Sequence, residues 1–330
     1  MHVLIVFIFL LISFNSQATS TDLKSVQSCY KGPFSQYSHW IDFMEKKFAK
    51  KGLNEQALQK KVSHFQSMFS EQAFNDFKAH LTCETFTYQV NGQDVKGFVV
   101  KPINNKKKMP VIIYNRGGNG NYGAVVFGHL MRNVFPLAKE GFIVIGSQYR
   151  GTFSRDDTLD QFGGVDVADV TALMDILPNI EGADSKRVGM YGVSRGAMQT
   201  HLAVKEMPAV KAIATQAGVV DLNKELEFRP AMERVYKKRI PNYSAEKHAQ
   251  LAKRSVMTWV DKLPKQTPIL IMHGDKDKRV SVDNSIRFAK ALAQHKVPHK
   301  LVVYQGDNHG LDLNREAAFS ELSSWFHTYL

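Results

Sequence analysis

In YGVSRGA, residues 191–197, Ser194 stands between Gly192 and Gly196, after an apolar run and before residues suited to a helix. A serine hydroxyl becomes a useful nucleophile only when a general base takes its proton. A third group must orient that base, and donors must meet the oxyanion that forms. Glycines on both sides would relieve crowding at a sharp strand-to-helix turn and leave the hydroxyl exposed. Alone the pattern is weak. At ordinary glycine and serine frequencies, G-x-S-x-G arises by chance roughly 0.1 times in a chain of this length.

The partners must come from elsewhere in the chain. HGDKDKRV, residues 273–280, offers Asp277 as the orienting acid, with Asp275 as its competitor, and GDNHG, residues 306–310, offers His309 as the base. Ser194, Asp277 and His309 follow one another at spacings of 83 and 32 residues, in the order expected of an α/β-hydrolase. The backbone N–H of Arg195, at a helix N-terminus, is the first candidate oxyanion donor. The second is sought in NRGGNGNYG, residues 115–123, where Gly118 is favoured and Gly117 is next. Arg116 in that loop could offer its charge to a substrate or form an ion pair. His273 reads as structural. His273, Asp275, Asp277, Asp307 and His309 match no established metal-ligand spacing, so neither a metal nor an organic cofactor is expected.

These loops need a scaffold. Short β-rich runs fall at 85–90, 95–101, 110–115, 142–147, 187–191, 211–215, 268–273 and 299–304, the first two joined by the turn signal Asn91-Gly92. The later runs, such as VIIY and ILIM, are apolar throughout, as strands buried on both faces of a parallel sheet are. Helical stretches near 123–139, 160–177, 194–206, 283–295 and 314–328 separate them, which predicts a doubly wound α/β fold with eight strands. Each chemical motif then lies just beyond a strand's carboxyl end, where such folds bind ligands. Residues 221–262 form the longest insertion and predict a helical cap over those ends. Residues 36–80 predict a helical N-terminal segment broken at Lys50-Lys51-Gly52, with Asn54 as a helix cap.

With 330 residues, 44% of them hydrophobic, the chain can bury a large core. Its first residues carry an apolar run over 3–12 and a small-residue cleavage pattern, which predicts a signal peptide over 1–18, with an uncleaved anchor as the alternative. No later run is long and apolar enough to span a bilayer. An exported protein, periplasmic or secreted, is therefore expected, without stable membrane insertion once the signal is removed. In such a setting Cys29 and Cys83 would form a disulfide; two partly buried thiols are the alternative. The net charge of +12 is spread along the chain without a nucleic-acid-binding motif, so a solvated basic surface and no nucleic-acid partner are expected.

From about residue 85 to 330 the chain resembles the catalytic domain of the prolyl oligopeptidase family of serine peptidases. The resemblance is carried by Arg116-Gly117-Gly118-Asn119, Tyr149-Arg150-Gly151, Phe162-Gly163-Gly164 with Asp166 and Asp169, and Asp184-Ser185-Lys186-Arg187 before the serine turn. It continues through His273-Gly274-x-x-Asp277-x-x-Val280 and Asp307-Asn308-His309-Gly310. It implies an α/β-hydrolase fold, settles the acid on Asp277, and makes Arg150 and Asp166 scaffold residues. Where relatives carry His or Tyr before the glycine pair this chain has Arg116, and Ala197 replaces a second glycine after the turn. Larger members carry a β-propeller first; the residues over 19–84 read as helices and leave no room for one. The expectation is a peptidase acting on short peptides, with a carboxylesterase of the same fold as the alternative. A binding protein without catalysis is the remote reading, since such proteins usually lack one member of the triad.

Overall fold

A computed structural model describes residues 22–103 and 107–330; the expected signal segment over 1–18 lies outside the described residues. The β-rich runs form one sheet whose strands are β1 Lys24–Ser28, β2 Leu81–Val90, β3 Gln93–Pro102, β4 Met109–Asn115, β5 Ile143–Ser147, β6 Ala183–Val193, β7 Val210–Gln216, β8 Ile269–Gly274 and β9 His299–Tyr304. They lie in the order β1-β2-β3-β5-β4-β6-β7-β8-β9. The six from β5 to β9 are mutually parallel, while β1, β2 and β3 run antiparallel to their neighbours. Val90 pairs with Gln93 across Asn91 and Gly92, both at positive φ, so the predicted tight turn joins β2 to β3.

The sheet therefore has nine strands among the described residues, not the eight expected. The extra one is β1, KSVQS, whose five residues are all exposed. It carries no apolar alternation to read. It is held by pairing with β2 and by the disulfide between Cys29 and Cys83.

Side chains of the parallel strands alternate between two cores. Val111, Ile113, Ile269 and Ile271 face one, and Ile112, Tyr114, Leu270 and Met272 face the other. Helices cover both faces, which is why these strands read as unbroken apolar runs. The N-terminal segment forms three helices, Tyr37–Ala49, Glu55–Met68 and Glu71–His80, and Asn54 caps the second by accepting the Ala57 N–H at 2.9 Å. Their aromatic stripe packs into the second core, with the Trp40 ring centroid 5.1 Å from Phe65 and 4.9 Å from Phe127. A buried aromatic of this size removes roughly 150–250 Å² from water, a gross gain of about 4–6 kcal/mol at ~25 cal/mol/Å².

The expected helix over 160–177 is broken into short pieces, Val165–Val167, Ala168–Thr171 and Leu173–Ile176, and the one over 123–139 contains a π-helical turn, Leu130–Val134. Residues 221–262 contain the helices Leu222–Phe228, Met232–Arg239 and Tyr243–Arg254. β5 lies on one side of β4 and β6 on the other. The connection leaving β4 runs to β5 on one side and that leaving β6 runs to β7 on the other, which opens a crevice at the carboxyl ends of β4 and β6. The loop 115–123 and Ser194 meet there.

Candidate active site

Ser194 joins β6 to the helix Arg195–Val204 with φ 58° and ψ −121°. Few L-residues adopt this conformation, and it costs roughly 1–3 kcal/mol. Its N–H donates to the Gln216 carbonyl at 2.8 Å, which anchors the turn to β7. The flanking glycines answer to close approach. A Cβ on Gly196 would run into the Asn115 carbonyl oxygen, and one on Gly192 would lie 2.5 Å from Thr200 Oγ1. As the first residue of its helix, Arg195 has no carbonyl one turn back for its N–H.

His309 Nδ1 donates to Asp277 Oδ2 at 2.7 Å. His273 Nε2 donates to the same oxygen at 3.1 Å, and to Val280 O at 3.1 Å, while its Nδ1 accepts from the Ser285 hydroxyl at 2.7 Å. The other carboxylate oxygen takes the Arg279 and Val280 N–H groups at 2.7 and 3.1 Å. Burial opposes the charge on Asp277, but the hydrogen bonds from His273 and His309 outweigh it and hold the carboxyl well below the usual range. Asp275 plays another part, accepting the Gly306 N–H at 2.7 Å, and it is Asp277 that bonds His309. Asp307 is buried and shapes the His309 loop, accepting the Leu313 and Asn314 N–H groups at 3.1 and 2.8 Å. Ser194 and His309 line one cavity of about 570 Å³, although no direct hydrogen bond joins their side chains.

The two arginines of the motif are buried. Arg116 does not reach the cavity as a substrate cation would. Its guanidinium donates to the carbonyls of Gln148, Gly117 and Gly120 at 2.7, 2.9 and 2.8 Å, and stacks on Tyr149. Among the described residues it has no ion pair either; burial, and then the charge of Arg195, lower its pKa to about 10. It is a clamp for the glycine loop. The Arg195 side chain pairs with Asp160 at 2.6 Å and Asp166 at 2.7 Å, and donates to Gly118 O at 3.0 Å, tying that loop to the serine turn. Arg150 pairs with buried Asp169 at 2.6 Å, a scaffold contact. Both Gly117 and Gly118 border the cavity.

From the insertion, Glu225, Arg229, Met232 and Val235 line the cavity. Sequence reasoning does not single these residues out; the insertion's conspicuous aromatics, Tyr236 and Trp259, are buried in the core instead. The signal that could have found them is register. Leu222, Glu225 and Leu226 share the i, i+3, i+4 spacing of a buried face, and a glutamate in that register is out of keeping with its neighbours. Gln216 is a further residue that the sequence does not point to. Its side-chain amide donates to the His309 carbonyl at 3.2 Å while its Oε1 accepts from Tyr191 OH at 2.7 Å.

Comparison with known proteins agrees with this geometry. A model of the prolyl oligopeptidase family matches residues 128–330. The Bacillus subtilis protein named "Uncharacterized peptidase YtmA" is 28% identical over 231 residues, covering 70% of this chain and 87% of that one. The acylamino-acid-releasing enzyme of Rattus norvegicus is 25% identical over 261 residues, covering 72% of this chain but only 34% of the rat enzyme. Among solved structures, the acylaminoacyl peptidase of Pyrococcus horikoshii superposes with a TM-score of 0.67 at 20% identity, over 78% of this chain and 43% of that one. That likeness speaks for the α/β-hydrolase fold. The family match spans more than half of the sequence and includes the serine turn, the acid loop and the histidine loop, so the chain belongs to the prolyl oligopeptidase family and is a serine hydrolase of that peptidase type.

Proposed function

We propose that the protein cleaves short peptides through an acyl-enzyme on Ser194. His309 takes the serine proton as the hydroxyl oxygen attacks the scissile carbonyl, and later gives it to the departing amine. Asp277 orients the imidazole and stabilises its charged form. The Arg195 N–H and the Gly118 N–H, with Gly117 as the alternative, meet the oxyanion. Water then attacks the acyl-enzyme with His309 again as base. The 2.7 Å bond from His309 to Asp277, at the edge of the cavity that Ser194 also lines, carries this reading. It fixes which imidazole nitrogen holds the proton and leaves Nε2 free for the serine.

Peptides are favoured over esters by the Bacillus subtilis relative named as a peptidase and the rat relative named as an acylamino-acid-releasing enzyme. The Cys29–Cys83 disulfide supports an exported, periplasmic or secreted protein. Among the described residues no helix is long and apolar enough to cross a membrane. A panel of aminoacyl p-nitroanilides and p-nitrophenyl esters, run with wild type and Ser194→Ala, tests the function. Serine-dependent anilide cleavage is expected; turnover confined to esters would assign a carboxylesterase, and no serine-dependent turnover would refute the reading.

A further inference from the structure

Glu225 belongs to the cap helix Leu222–Phe228 and lines the cavity of Ser194 and His309, yet its residue is only 1% exposed. Its Oε2 is buried and has no hydrogen-bond partner among the described residues. Buried carboxyl oxygens are rarely left this way, because the lost hydration is not replaced. The Arg229 side chain, one turn on, forms no ion pair with it; the bond between the two residues runs from the Arg229 N–H to the Glu225 carbonyl. Tyr236 stands close enough on the next helix for its titration to feel Glu225, and the Asp277 charge is felt from the strand side. Burial and then Arg229 act in opposite directions on the carboxyl, and with Asp277 the balance is a pKa raised to about 8.

We infer that Glu225 receives a protonated amine carried by the acyl portion of the substrate, so that the protein prefers peptides with a free primary amine near the scissile bond. This rests on the proposed acyl-enzyme reaction at Ser194. The cavity is graded in charge. Arg279, Arg229 and Arg195 also line it, but the first two are more exposed than Glu225 and the buried Arg195 is already paired with Asp160 and Asp166, so Glu225 is the buried carboxyl of the lining that still lacks a partner. A neutral amide could offer one hydrogen bond to the unpartnered oxygen. An ammonium offers several and also the opposite charge, which restores the ionised carboxylate that burial disfavours. The amine could be a chain's α-amino group or a lysine-type side chain.

Two pairs of coumarin amides separate these sources. One compares alanyl-alanyl-aminomethylcoumarin with its N-acetyl form, the other N-acetyl-lysyl- with N-acetyl-norleucyl-aminomethylcoumarin. Wild type should favour the amine-bearing member of one pair by about tenfold or more in kcat/KM, as a charged hydrogen bond in a buried site would give. Glu225→Gln should bring that ratio to within about threefold. The pair that responds identifies the source of the amine. Absence of an amine preference in wild type would overturn the inference without reference to any variant, as would an unchanged ratio in Glu225→Gln. Labelling with a fluorophosphonate keeps the two readings apart: a Ser194 that labels while neither pair discriminates sinks this inference alone, and a Ser194 that does not label sinks the acyl-enzyme with it.

Discussion

Gln216 and His309 are joined by a hydrogen bond from the Gln216 amide to the His309 carbonyl, 3.2 Å long, and the Gln216 carbonyl meanwhile accepts the Ser194 N–H at 2.8 Å. One residue at the end of β7 thus holds both the serine turn and the histidine loop. Gln216→Ala should release the loop and lower kcat/KM by about 10–100-fold, mostly through kcat, because small misplacements of reacting groups are that costly. Steady-state kinetics and the rate of fluorophosphonate labelling check it; an unchanged rate in both would remove Gln216 from the positioning machinery.

The strained backbone at Ser194 separates chemistry from stability. Ser194→Ala should lower kcat by about 10⁴–10⁶-fold and abolish labelling. Ser194→Gly should be as inactive but more stable than the alanine variant by about 1–2 kcal/mol, since glycine accepts φ 58° without a Cβ clash. Denaturant titration of the two variants decides this, and equal midpoints would mean the turn is not strained.

Asp277 should shape the acid limb of stability. Its folded pKa is depressed, so its contribution is fully present above the unfolded value of about 4 and is lost as pH falls through the folded value. The stability gap between wild type and Asp277→Asn should therefore shrink below about pH 4. Activity of that variant should drop by about 10⁴-fold. Thermal melts across an acid series test the first point, and a constant gap would contradict it.

Glu225 should act with the opposite sign. Its folded pKa of about 8 lies above the ordinary glutamate value. The stability it contributes is present below the unfolded pKa, near ~4.3, and is lost as pH rises through the folded one. Glu225→Gln should gain on wild type as pH goes from about 5 to 8. Parallel melts over that range would show a gap that widens, or else refute the shift.

Reduction of the Cys29–Cys83 bridge, which spans 54 positions, should cost about 4 kcal/mol by the loop-entropy account. Calorimetry with and without reductant, alongside Cys83→Ser, measures it. An unchanged transition would mean that the pairing of β1 with β2 suffices.

What can be read in advance is what is local. Ser194, Asp277 and His309 each sit in a glycine-bearing loop just past a strand end, and strands buried on both faces announce themselves as apolar runs. The fate of Arg116 is not legible, because the carbonyl that holds it belongs to Gln148, 32 residues away and adjacent only once β4 pairs with β5. β1 lacks any pattern, since pairing and a disulfide hold it rather than burial. Gln216 and Glu225 acquire meaning only from the loops folded over them.

The packing of Trp40 against Phe65 and Phe127 has a practical corollary for anyone wishing to trim the molecule. A fragment beginning at residue 85 would keep Ser194, Asp277 and His309 yet turn Phe127 and Phe135, now packed against Trp40 and Phe77, toward solvent. A sticky patch of that kind invites self-association, so insoluble material is the expected product of such shortening rather than a smaller enzyme.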